Sequence, residues 1–272
     1  MGRSKSPVYV TKDEALHLLS AKPLTAALVE DIFKFYLSRI KISPPSYDHK
    51  SSKYYMNCDM QKLEFNSADI TLAQSNRLGA SLTHELLHVK RPILEFPMLR
   101  SLDVQNVSPN LYNSLQDTLG KMLNVIDHDT FFDEFVALGF QGTEFLAAPG
   151  PLPNYEQEVQ ETAYKKIPLE HRWVARKWWA LEFLRHEISD RHGCLGSSQI
   201  ALAVEKWGSE SIPDFHQITS QIRGWINSGN HKFASTYAQA IAEILDICSM
   251  PKAAGFAVLR KPSLASFKMI AI

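Results

Sequence analysis

Beginning at residue 23, the hydrophobic pattern alternates between helical and strand-like spacing. In "PLTAALVEDIFKFYLSRIKI", Leu28, Ile32, Tyr36 and Ile40 recur every four residues, which predicts an amphipathic helix ending before "SPPS". "SKYYMNCDMQKLEFNSADITL" then interleaves aromatic and aliphatic residues with charged and amide ones, a pattern that predicts short strands and a hairpin around Cys58 to Gln61. A second helix, capped by Ser75 or Asn76, is expected to run through "LGASLTHELLHVKRP" and to stop before Pro92. "RPILEFPMLRSLDVQNVSPN" carries three prolines and reads as irregular. Ser108 and Pro109 form an N-cap and first-turn pair. Leu111, Leu115, Leu119, Leu123 and Ile126 follow at helical intervals, with Gly120 and "DHDT" as possible break points and Gly139 as the terminator.

"AAPGPLPN", residues 147 to 154, is the strongest linker signal. It predicts one domain over 1–148 and a helical domain or extension over 149–272. Helical patterning continues in "EQEVQETAYKKI", "LEHRWVARKWWALEFLRHEISDRHG" and "FASTYAQAIAEILDICSM", and "GFAVLRKPSLASFKMIAI" has room for two short strands. The expected fold class is α+β, mostly helical, with a small β-sheet in the N-terminal half.

At 272 residues the chain is long enough to bury a substantial core, and 45% hydrophobic against 21% charged residues is a globular balance. Formal charge is zero, so the whole chain carries no basic footprint for nucleic acid. The three cysteines, Cys58, Cys194 and Cys248, form no CxxC pair and suggest neither a disulfide framework nor a cysteine zinc knuckle. "MGRSKSPVYV" lacks the apolar centre of a signal peptide, and no run approaches the ~18 apolar residues of a membrane span. A soluble cytoplasmic protein that does not engage membranes is expected.

The chemistry lies in "THELLHV". Residues four apart lie on one helical face, so His84 and His88 can direct two imidazoles at one point, as Zn²⁺ coordination requires. Glu85 is rotated about 100° from His84, a placement from which a carboxylate can reach a metal-bound water and act as its general base. The pentapeptide arises by chance in roughly one such sequence in fifty. Leu82, Leu86 and Leu87 surround the polar trio, and polar groups in an apolar helix cost desolvation energy that a metal offsets.

"THELLHV" resembles the active-site helix of zincin metallopeptidases. The resemblance implies a zincin-like N-terminal catalytic region, with His84 and His88 as zinc ligands and Glu85 as catalytic base. The order of helix, strands and motif helix over residues 25 to 140 is similar to that family. The metzincin branch continues with a glycine and a third histidine, and "VKRPILEFP" has neither. The gluzincin branch places a carboxylate on a downstream helix, for which "LNVIDHDTFFDEFVALG" is the candidate, although it lacks that branch's Asn-Glu pair. The small zincins that cleave bacterial repressors are a more general likeness, without a helix-turn-helix here.

Asn124, Asp127 and His128 share a helical face, among the apolar Val125, Ile126, Phe131 and Phe132. Asp127 is placed as the third ligand, with His128 hydrogen-bonding beside it or steadying the oxyanion. The reverse assignment stays open, and Glu134 is a further candidate. Asp129 and Asp133 belong to an acidic run of the kind that commonly forms a solvated face. The function expected is zinc-dependent hydrolysis of a protein or peptide substrate. The alternative is a non-catalytic, zinc-stabilised module that binds or regulates a partner.

Other signals point to packing. "HRWVARKWWALEFLRHE" mixes tryptophans with cations as a nucleic-acid surface would, but Trp179 and Phe183 share a face and glutamates dilute the charge, so it reads as an amphipathic core helix. His186, His192 and Cys194 fit no common metal spacing and read as a helix end followed by a glycine turn. His17, His49, His171, His216 and His231 show no clustering.

Overall fold

A computed structural model describes residues 8–36, 40–42, 47–48, 53–54, 57–59, 69–72, 77–103, 109–145, 157, 172–193, 199–258 and 268–270. Strand β1 (Val8–Val10) leads into helix α1 (Lys12–Leu18) through a capping box. The Glu14 N–H donates to the Thr11 hydroxyl at 3.3 Å, and the Glu14 carboxylate accepts from the Thr11 N–H at 2.6 Å. The Thr-x-x-Glu spacing of "TKDE" is itself a helix-start signal, although no hydrophobic period marks this helix.

Helix α2 (Thr25–Tyr36) covers the first predicted helix up to Tyr36, whereas Ile40 belongs to strand β2 (Ile40–Ile42). The four-residue period crosses an element boundary there, because "IKI" alternates β-branched residues that suit a pleated sheet. Strands β3 (Tyr47–Asp48) and β4 (Lys53–Tyr54) pair with each other. Strands β5 (Asn57–Asp59) and β6 (Asp69–Leu72) complete a four-stranded sheet in the order β1-β2-β6-β5, with β2 and β6 parallel. Cys58 and Asp59 pair with Ile70 and Asp69, so they are ladder residues and not part of the expected turn. Met60 and Gln61 lie outside the described residues.

Helix α3 (Leu78–Ile93) carries the histidine motif. Arg77 is at its N-cap without a side-chain cap bond, and Ser75 and Asn76 lie outside the described residues. The helix does not stop before Pro92 but includes it. Proline removes the bond from its own missing N–H and crowds the His88 carbonyl, yet the helix runs only one residue past it, and the Leu94 N–H reaches the Lys90 and Arg91 carbonyls at 3.1 and 3.0 Å.

Strand β7 (Met98–Leu102) occupies a segment expected to be irregular. It pairs antiparallel with β8 (Ala253–Val258), with irregular register on both sides of Ser101, and β9 (Lys268–Ile270) completes a three-stranded sheet. A partner so distant in sequence leaves no local periodicity in "MLRSL". The two strands expected at the C-terminus are β8 and β9.

Helix α4 (Pro109–Ala137) runs 29 residues without a break at Gly120 or "DHDT". An interior glycine costs about 1 kcal/mol, less than the burial of Leu115, Leu119, Met122 and Ile126, each at most 5% exposed, contributes at roughly 1.5–3 kcal/mol per large side chain. Gly139 follows the helix end with φ 95°, and its carbonyl accepts from the Lys22 ammonium. Helices α5 (Arg172–Arg191), α6 (Gln199–Ser211), α7 (Phe215–Ser228) and α8 (Ala234–Ile247) follow. The described residues are thus mostly helical with small sheets, and among them no helix is long and apolar enough to cross a membrane.

The chain packs as two units, Met1–Glu95 with Asp133–Phe145 and Leu259–Lys268, and Phe96–Phe132 with Leu146–Val258 and Met269–Ile272. The division falls within α4, a single helix shared by both. Residues 147–154, the expected linker, lie outside the described residues. The first unit buries Val29, Ile32, Leu82, Leu86 and Phe135 completely. The second buries Trp179 and Phe183 of the tryptophan-rich stretch in its core, with the Arg223 guanidinium 4.9 Å above the Phe183 ring.

Gly208 on α6 faces Phe215 so closely that a Cβ would lie 2.5 to 2.8 Å from three ring carbons. Overpacking a core costs roughly 1–3 kcal/mol, against about 1 kcal/mol gained from alanine's helix propensity. Gly208→Ala is therefore expected to lose about 1 kcal/mol of net stability, read as a lower urea midpoint with the m value unchanged. A midpoint raised by alanine's helix-propensity gain would mean that the Phe215 ring moves aside freely.

Candidate metal centre

The motif face of α3 is buried. His84 is 6% and Glu85 5% exposed, between the fully enclosed Leu82, Leu86 and Leu87. One helical turn sets the His84 and His88 rings with centroids 5.0 Å apart and planes at 64°. His84 also packs against Phe145 at 4.7 Å and hydrogen-bonds its backbone, the kind of contact that fixes the orientation of a ligating imidazole.

Burial dominates the electrostatics. It takes the His84 imidazolium down to about 4, with the Phe145 backbone bond working in the other direction. His88 is held well below its ordinary value by burial, then by the charges of His84 and Arg91. Burial pushes the Glu85 carboxyl up to about 7. Both histidines are thereby kept in the neutral form that binds metal ions.

Helix α4 supplies the third group. Ligand atoms of His84, His88 and His128 all lie within 4.8 Å of one another, and His128 is 8% exposed with its ring edge-on to Phe131. This buried group can hold a metal ion. Three imidazole nitrogens suit a divalent transition metal and leave a tetrahedral ion one further position. Among the described residues no other such cluster occurs.

The downstream candidates separate accordingly. Asp127, expected as the third ligand, accepts a hydrogen bond at Oδ1 from the Tyr237 hydroxyl at 2.8 Å. His128, expected beside the metal, joins the two motif histidines instead. Glu134 pairs with Lys90 of α3 at 2.5 Å, two residues past His88. The side-chain phase on a helix explains the exchange, since adjacent residues point about 100° apart and only one of them can face α3.

Asp129 is not on a solvated face. It is 3% exposed, and its two oxygens meet His192 Nε2 at 2.6 Å and His231 Nε2 at 2.5 Å, with Lys232 Nζ at 3.6 Å. Burial alone would raise its carboxyl, but these hydrogen bonds and the charges of His231 and Lys232 outweigh burial and hold it below the usual carboxylate range. His231, which showed no clustering in sequence, is fully buried and stacks on Trp225 at 4.3 Å. The apolar neighbours of "DHDT" were a sign that Asp129 is buried, but nothing local connects it with residues 192 and 231.

Comparison with protein-family models, with curated proteins and with solved structures gave no match. Function is therefore inferred from the side chains that the fold brings together.

Replacing His128 by alanine is expected to remove more bound metal than replacing Asp127. Metal content measured after equilibration with zinc and gel filtration should fall at least about tenfold for His128→Ala, and by less for Asp127→Ala. The reverse order would restore Asp127 as the ligand.

Proposed function

We propose that this protein is a zinc-dependent peptide-bond hydrolase of zincin type, with His84, His88 and His128 holding Zn²⁺ and Glu85 acting as general base. The observation that carries the reading is the convergence of three imidazoles beside a buried carboxylate on the same helix. The resemblance of "THELLHV" to the zincin active-site helix supports it. A third imidazole in place of a gluzincin carboxylate departs from that branch, so the family position rests on α3 alone.

Zinc, when bound, supplies Lewis acidity and lowers the pKa of its water. Glu85 takes a proton from the attacking water, whose oxygen bonds to the scissile carbonyl carbon. The C–N bond then breaks, and Glu85 returns the proton to the departing amine nitrogen. Leu82, Leu86 and Leu87 keep bulk water from the helix that carries these groups, which strengthens charge–charge interactions there. Neutral His84 and His88 donate lone pairs without first losing a proton.

Glu85→Gln separates catalysis from structural zinc binding. With fluorescent casein and a mixed peptide pool as substrates, the variant is expected to keep stoichiometric zinc and its unfolding temperature while losing cleavage by about 100-fold or more. Equal cleavage by both proteins would overturn the base assignment. Zinc-loaded wild type that cleaves neither substrate would favour the zinc-stabilised binding module.

A further inference from the structure

The acidic residue directly after His128 is bound more tightly than a surface acid needs to be. The Asp129 carboxylate uses both oxygens, one toward His192 at 2.6 Å and one toward His231 at 2.5 Å. An ionised carboxylate only accepts, so each Nε2 carries the proton and donates it. The partners are themselves braced. His192 lies against Phe132 with ring centroids 4.0 Å apart, and His231 stacks on Trp225 at 4.3 Å and 16°. Trp225 in turn donates its Nε1–H to the Ala240 carbonyl at 2.8 Å. One residue before His128, Asp127 accepts from the Tyr237 hydroxyl.

Residues 127 and 129 each diverge from His128 by about 100° around the helix. Anchors on both sides of His128 therefore oppose rotation of α4 in either sense. With side chains the helix has a radius of about 5–6 Å, so a rotation of about 10° would move a ring nitrogen by roughly 1 Å. Metal–ligand bonds tolerate only about 0.2 Å.

We propose that Asp129 is a positioning residue, and that its carboxylate, held by His192 and His231, sets the rotation of α4 that aims the His128 imidazole at the metal. This rests on the three-histidine reading above and adds a role for residues that do not touch the metal. His192 and His231 act through Asp129, and Tyr237 supports the other side through Asp127.

Cobalt(II) titration of the full-length protein tests this, because the visible absorption of cobalt reports ligand number and geometry. Wild type is expected to bind one equivalent with a tetrahedral-type spectrum. Asp129→Ala should bind about 10–100-fold more weakly with a shifted or weakened visible band, and Asp129→Asn, which keeps one acceptor oxygen, should recover part of both. Ile222→Ala, a core truncation elsewhere in the same unit, should lower the unfolding temperature while leaving cobalt affinity and spectrum unchanged. If Asp129→Ala does not fold, Asp129→Asn and His192→Ala make the same comparison. Folded Asp129 variants with wild-type affinity and spectrum would overturn the positioning role and leave the metal reading intact. Wild type that binds no cobalt would overturn both.

Discussion

Removing ionisable groups from water is the constraint on which this molecule is organised. Helix α3 carries His84 and Glu85 into a face lined by leucines, where each is nearly inaccessible. Burial disfavours the charged forms of all three motif residues, and such desolvation costs several kcal/mol for an ion. A divalent cation is the partner that suits this set, because it binds neutral imidazoles and favours an ionised carboxylate nearby. The apolar residues around the motif are thus part of its chemistry as well as of its packing.

Helix α4 meets a second demand. Its N-terminal part is packed in the core that also contains Trp179 and Phe183, and its last turn belongs with α3. Continuity through 29 residues links the rotation of His128 to everything that grips the helix. Beside its buried apolar face, α4 is held by polar contacts: Tyr237 on Asp127, His192 and His231 on Asp129, and Lys90 on Glu134. Hydrogen-bonded carboxylates are directional in a way that leucine packing is not, so they are suited to holding a ligand's angle.

Legibility followed the range of the interactions. The helical period of residues 111 to 126 was readable because burial repeats every turn within one element. β7 was not, since its partner β8 lies at the other end of the chain. Ile40 kept the helical spacing of α2 but belongs to a strand, because three or four matching positions do not distinguish a helix's last turn from a β-branched triplet. Pro92 is a stop signal in sequence, but the helix runs one residue past it and is closed by the Leu94 N–H on the Lys90 and Arg91 carbonyls.

The candidate site divides in the same way. His84, Glu85 and His88 share one turn of a helix, so their mutual placement is a local property that five letters of sequence determine. Which residue of "DHD" faces them is a different matter. It depends on the rotation of α4, and that is set by partners 63, 102 and 110 residues away along the chain. Sequence alone therefore determined the histidine pair and its neighbouring acid. Only tertiary structure turned His128 toward them and the two aspartates away, because a helix has no preferred rotation until something outside it takes hold.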